Sequence, residues 1–246
     1  MKNDVALITI MHDPTGILYQ PLVAAMPVLT TYPGAKYVAL SEQTDRRVYD
    51  VLKAHGFTVC NIEKNGVAHA RRKVAALAQS YGHDFYHYCD LDRLVTWALQ
   101  SPDEWRCVHE KIVAHDYVLI GRTVHAFATH PDAWQETEAI TNKIFSLALG
   151  READVTAGSC GFSQRALMHI VQHSQAAMTD AEWPLLVCDV YGAAQVGAMN
   201  VEGLAYMAHN EDRTQGDVEA WCSRLRLAHV ISETVRKWKE RRGERV

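Results

Sequence analysis

Along the first half of the chain, short apolar runs alternate with longer stretches in which apolar residues recur every three or four positions. Residues 5–11, Val-Ala-Leu-Ile-Thr-Ile-Met, form a nearly unbroken apolar run, the pattern of a strand buried on both faces. Residues 17–29 read as a helix despite Pro21 and Pro27, and Tyr32-Pro33-Gly34 turns the chain into a second strand over 36–40. A helix over 44–55 stops at Gly56, a natural residue just past a helix end, and is followed by a strand over 57–62. A third helix covers 67–80, and a fourth strand, aromatic and apolar, covers 84–89. Strand and helix in alternation predict parallel strands joined by right-handed crossovers, hence an α/β/α sandwich of Rossmann-like type with a mostly parallel central sheet.

The second half is less regular. Helical patterns cover 94–99 and 102–114, and 116–122 reads as a fifth strand. A long helix over 133–149 is ended by Gly150. Residues 154–163, Asp-Val-Thr-Ala-Gly-Ser-Cys-Gly-Phe-Ser, carry two glycines and small residues where a backbone can approach a ligand, and read as an active-site loop before a helix over 164–173. Asp180 and Glu182 head an apolar helix, with Thr179 or Asp180 as its N-cap. A late strand falls within 195–207, a polar loop covers 209–216, and a basic helix covers 218–242. Within it Ile231, Val235 and Trp238 share one face.

Composition narrows the classes. A chain of 246 residues, 48% hydrophobic and 22% charged, can bury a substantial core as one domain. The net charge of −4 argues against a nucleic-acid partner. Six cysteines without a Cys-x-x-Cys pair indicate neither a zinc module nor a disulfide framework. The chain enters a strand directly after Met1-Lys2-Asn3-Asp4 and holds no apolar run near membrane length, so the expected location is cytoplasmic.

The candidate chemistry centres on Asp90-Leu91-Asp92, which follows the fourth strand. A strand ending in Asp-x-Asp brings two carboxylates to the sheet edge where α/β proteins bind ligands. Such a pair suits a hard divalent cation that also grips phosphate oxygens; the alternative is two acids in a surface turn.

The alternating elements, Asp90-Leu91-Asp92, and Asn65-Gly66-Val67-Ala68-His69-Ala70-Arg71-Arg72 on the preceding helix resemble the glycosyltransferases of the GT-A fold. Two later segments are similar to the dolichol-phosphate-mannose synthase group: Ser159-Cys160-Gly161-Phe162-Ser163-Gln164-Arg165 and Asp212-Arg213-Thr214-Gln215-Gly216. The resemblance covers about residues 4–216, leaving 217–246 as a basic helix expected to pack on the same domain. It departs from that group where Asn65 and Gly66 adjoin directly, where Asp217 replaces a serine, and in lacking membrane helices.

The resemblance implies a transferase that moves a sugar from a nucleoside-diphosphate donor, of UDP or GDP type, to an unidentified acceptor. It implies Mn2+ or Mg2+ held by Asp92 and by Asp90, directly or through water, and phosphate contacts from Arg71 and Arg213. Asp13 and Glu42, at the ends of the first and second strands, fall where this fold reads base and ribose; helix capping explains them equally well. Asp180 and Glu182 are the candidate general bases, a role that disappears for an acceptor that is already an ionised phosphate. His209 is a candidate additional metal ligand. A homodimer and at most peripheral membrane contact are compatible with this reading. A sugar-phosphate nucleotidyltransferase is the enzymatic alternative, although His12-Asp13-Pro14-Thr15-Gly16 lacks the basic glycine-rich cradle it needs. A non-catalytic nucleotide-sugar-binding protein is the alternative of a different class.

Overall fold

The computed structural model describes residues 4–210 and 216–243. Its centre is one seven-stranded sheet: β1 (Val5–Met11), β2 (Lys36–Ser41), β3 (Phe57–Ile62), β4 (Phe85–Cys89), β5 (Tyr117–Arg122), β6 (Ser159–Ser163) and β7 (Val196–Val201). The spatial order is β3-β2-β1-β4-β6-β5-β7, and every pairing is parallel except the two made by β6. Alternate residues of β1 feed opposite cores, which makes the run apolar on both faces as expected. Ala6, Ile8 and Ile10 pack toward α3 (Gly66–Gln79), α8 (Gln164–His173) and α9 (Thr179–Tyr191). Val5 and Leu7 pack toward α1 (Tyr19–Leu29), α2 (Arg46–Ala54), α4 (Leu91–Gln100) and α5 (Glu104–Ile112). The architecture is therefore the expected α/β/α sandwich.

Residues 159–163, expected to be active-site loop, instead form β6, antiparallel between β4 and β5. Its small residues are used for packing: a Cβ on Gly161 would lie 2.2 Å from Ile112 Cγ1, so only glycine lets α5 close on the sheet there. The loop proper is shorter, ending at Gly158, whose φ of +74° aims its carbonyl at the Asp90 amide, 3.0 Å away. The five-residue helix α6 (Val124–Ala128) was not expected, being too short to show a helical period. At the head of α9 the N-cap position falls on Met178 without a side-chain cap, not on Thr179 or Asp180, because both of those side chains turn to Arg71.

The last helix, α10 (Asp217–Arg241), packs along α7 (Asp132–Leu149) and α9, burying Ile231, Val235 and Trp238. Its predicted apolar stripe thus joins the core that also holds Phe145 and Leu149 of α7. From β1 the chain winds outward through β2 and β3 and returns on the other side of β1 as β4. The crevice beyond the carboxyl ends of β1 and β4 is the topological switch point where such sheets bind ligands.

Candidate functional site

Asp90 stands at the switch point as the N-cap residue of α4, yet its carboxylate makes no capping bond. It accepts hydrogen bonds instead from the Tyr88 hydroxyl and from Arg71 Nη2, the latter at 2.9 Å. Asp92, in the first turn of α4, accepts from Asn210 Nδ2 at 3.0 Å. The two side chains keep 22% and 23% of their surface open, so both remain accessible to a ligand. Two half-buried carboxylates opening on a crevice suit a hard cation that takes its remaining oxygens from substrate and water. Among the described residues no three His, Cys, Asp or Glu side chains come together as a metal cluster, so His209 does not complete a set with Asp90 and Asp92. Its ring Nε2 lies 2.9 Å from Thr96 Oγ1. Burial lowers its pKa, against the opposing pull of Asp92.

Arg71 is buried, with 5% of its surface exposed, and its guanidinium ties three elements together. Nε donates to the Tyr88 hydroxyl at 2.9 Å, Nη1 to Thr179 Oγ1 at 3.1 Å and Asp180 at 2.8 Å, and Nη2 to Asp90. Burial works against the cation, but Asp180 and Asp90 outweigh it and hold its pKa well above the ordinary value. The Tyr88 hydroxyl is raised well above its usual range, chiefly by burial. Arg71 thus braces Asp90 and Asp180, whereas the resemblance implied a contact with phosphate.

Two cavities meet at Asp90, Asp92 and Val67. The larger, about 680 Å³, runs along the carboxyl ends of β1, β2 and β3 and the start of α3, with Ile10, Ile62 and Ala70 as apolar walls and Lys64, Asn65 and Gly66 at one end. The smaller, about 250 Å³, lies between α3, α4, α7, α9, α10 and the loop at 156–158 and is lined by Arg71, Arg93, Trp134, Glu138, Asp180 and Arg224 among others.

The remaining predicted residues divide. Asp13 lines the larger cavity, but its carboxylate accepts the amides of Ile17 at 3.1 Å and Leu18 at 2.8 Å. It shapes the loop before α1, the capping alternative. Glu42 is exposed at the end of β2 and does not line the cavity; Ser41 does. Glu182 is turned away from both cavities, and its carboxylate accepts the amides of Gln175 and Ala176 and the Ser174 hydroxyl. That carboxylate closes the turn between α8 and α9, and of the two candidate bases only Asp180 reaches a cavity. Arg213 lies outside the described residues.

Arg93, Trp134, Glu138 and Arg224 were not singled out from the sequence. Trp134, Glu138 and Thr141 on α7 and Arg224, Ala228 and Ile231 on α10 follow helical spacing, so a charged residue inside each inward stripe was the available signal. Beneath them Arg122 pairs with Glu138 at 2.7 Å and Asp154 at 2.8 Å. Burial works against Arg122, and the two acids keep its pKa raised.

With a mostly parallel sheet and one reversed strand, the chain has the GT-A fold. It is similar to glucosyl-3-phosphoglycerate synthase from Mycobacterium tuberculosis in complex with UDP, with a TM-score of 0.64 and 13% identity over 95% of this chain and 80% of that one. The same enzyme with Mn2+, UDP-glucose and phosphoglyceric acid gives 0.60 at 13% identity, with the same coverage. Mannosyl-3-phosphoglycerate synthase from Rubrobacter xylanophilus gives 0.58 at 12% identity, over 98% of this chain and 75% of that one. No protein-family model matches the sequence, and no curated protein matches it. No described helix is long and apolar enough to cross a membrane.

Proposed function

We propose that the protein is a metal-dependent glycosyltransferase that moves a sugar from a nucleoside-diphosphate donor, of UDP or GDP type, to an acceptor. The observation that carries this reading is the placement of Asp90 and Asp92 where two cavities of unequal size meet. The larger cavity takes the nucleoside against Ile10, Ile62 and Ala70. Lys64 and the start of α3 face the diphosphate, since the Asn65 side chain makes no capping bond and the first amides of the helix remain donors to an anion. Asp90 and Asp92 would hold Mn2+ or Mg2+, which when bound neutralises the leaving diphosphate. Arg71 keeps Asp90 aimed into the crevice and joins it to Asp180. The acceptor enters the smaller cavity, and Asp180 takes its hydroxyl proton, a role supported by its being the candidate base that lines this cavity. The neighbouring enzymes are glucosyl- and mannosyl-3-phosphoglycerate synthases, and the Mycobacterium tuberculosis enzyme is seen with Mn2+, UDP-glucose and phosphoglyceric acid. These are the ligand types to try first.

The test is a thermal-shift screen of UDP- and GDP-sugars with and without Mn2+, because a bound donor stabilises the native state by mass action. A shift that needs Mn2+ is expected, and Asp92→Ala should weaken nucleoside diphosphate about a hundredfold, about 2.7 kcal/mol. Equal affinity in EDTA and Mn2+, unchanged in the variant, would overturn the metal assignment. Release of nucleoside diphosphate in the presence of acceptors separates an enzyme from a binding protein.

A further inference from the structure

The smaller cavity contains two arginines whose opposing charges are already engaged elsewhere. Arg93 follows Asp92 on α4 and is 8% exposed, with Nη1 2.8 Å from His130 Nε2 and its guanidinium carbon 5.0 Å from the Trp134 ring centre. Arg224, from α10, sits over the same ring, 3.1 Å from its centre. Among the described residues its salt-bridge partner is Glu138 at 3.4 Å, and Glu138 is held more tightly by Arg122 at 2.7 Å. Among the described residues the acid paired with Arg93 is Asp92, at 3.8 Å, which faces the crevice assigned to the metal. Asp90 and Asp180 are both engaged by Arg71.

The pair is also held in place before any ligand arrives. A guanidinium has no acceptor, so His130 Nε2 must accept from Arg93 and Nδ1 must carry the ring proton, donating to the Ala126 carbonyl at 3.0 Å. This fixes a neutral tautomer, and burial, with Arg93 and Arg122 nearby, takes its pKa down to about 3. Arg224 is pulled down to about 10: burial dominates, Glu138 offsets part of it, and Arg93 and Arg122 add to the strain on the cation.

We infer that Arg93 and Arg224, converging on Trp134, form an anion subsite for the acceptor, which is a small hydroxylated molecule carrying a phosphate or carboxylate. The inference rests on the glycosyltransferase reading for the word acceptor, and on this chain's own residues for the anion. Planar guanidiniums suit oxyanions, which they grip through two parallel hydrogen bonds. At about 250 Å³ the cavity lies just below the usual range for ligand sites, about 300–1,000 Å³, a size that suits a small acceptor. The subsite and Asp180 line the same cavity, so an acceptor anchored by its anion presents its hydroxyl toward Asp90 and Asp92.

The test uses the full chain with Mg2+ and whichever of UDP or GDP stabilises it, so that the larger cavity is filled. Calorimetric titrations then compare glycerol 3-phosphate, glycerate, glycerol and inorganic phosphate. The two organic anions separate a phosphate from a carboxylate preference, and glycerol is the neutral counterpart. At least one anion should bind tenfold or more tightly than glycerol, and Arg224→Gln and Arg93→Gln should each remove most of that gain. Retained nucleotide affinity in the variants reports that they are folded. Anions that bind no better than glycerol, or equally well to wild type and Arg224→Gln, would overturn the subsite. If no nucleotide binds the wild type, the glycosyltransferase reading fails separately, and inorganic phosphate with wild type against Arg224→Gln still decides the subsite.

Discussion

The two cavities that share Asp90 and Asp92 are built on different principles. The larger is made of strand ends and the loops that follow them, and its main acid, Asp13, is satisfied by amides four and five residues ahead. The smaller is made mainly of side chains from five helices, with the loop at 156–158 closing one part of it, and its charges are balanced across the fold: Arg71 reaches Asp180 over 109 residues of chain and Arg224 reaches Glu138 over 86. A pocket assembled from local turns can form as soon as the sheet does. A pocket of buried ion pairs exists only when every helix has docked, and each unmatched charge in it is costly.

Removing the cation at the junction should have the largest effect. Arg71→Ala leaves the buried Asp180 side chain without its cation and removes one partner of the half-buried Asp90, and a loss of about 3–5 kcal/mol in unfolding free energy is expected from urea denaturation. A loss below about 1 kcal/mol, with nucleoside diphosphate affinity reduced instead, would return Arg71 to the role of an extended phosphate contact. On the larger cavity, Asp13→Ala removes the acceptor for two amides at the start of α1. The expected cost is about 1–3 kcal/mol, and hydrogen exchange should quicken at Ile17 and Leu18 while α9 and α10 stay protected. Exchange that quickens in those helices as well would show that the larger cavity is not locally built.

Acid should weaken the side of the smaller cavity through His130. Its pKa is about 3 in the fold, against about 6.5 in an unfolded chain. The unfolded state therefore binds the proton first as pH falls. Stability is complete above about pH 6.5 and declines toward pH 3, with a slope of at most about 1.4 kcal/mol per pH unit for this group. His130→Gln, which keeps an acceptor for Arg93, should flatten the pH dependence of the urea midpoint between pH 6 and pH 4. An unaltered slope would mean that His130 is charged in the native state. His87, buried in β4 and also lowered to about 3 by burial, contributes in the same direction and is the internal comparison.

The smallest effect concerns the end of α10. Arg236 bridges Glu233 and Glu240, and Arg242 meets Asp189 on α9 at 2.9 Å, which itself accepts from Trp238. With these cations paired, anionic vesicles at low salt should retain the protein weakly at most. Each basic residue at a membrane surface would add about 1 kcal/mol, so strong retention that is lost when Lys237, Lys239, Arg241 and Arg242 are changed to Gln would favour membrane contact.

The sequence by itself determined what rests on short-range regularity. The alternation in residues 5–89, the carboxylates of Asp90 and Asp92 at a strand end, and the stripe of Ile231, Val235 and Trp238 on α10 all follow from side-chain periods within one element. Tertiary structure decided the rest. Ser159–Ser163 is too rich in small residues to show a strand period, and became β6 because β4 and β5 present open edges to it and Ile112 fills the space over Gly161. Glu182 and Asp180 are two residues apart on one helix, yet the first closes a turn while the second meets Arg71. The convergence of Arg93, Trp134 and Arg224 was likewise out of reach, because no local pattern states which helix faces which. Those partners are chosen only when the helices dock and buried charges must find each other.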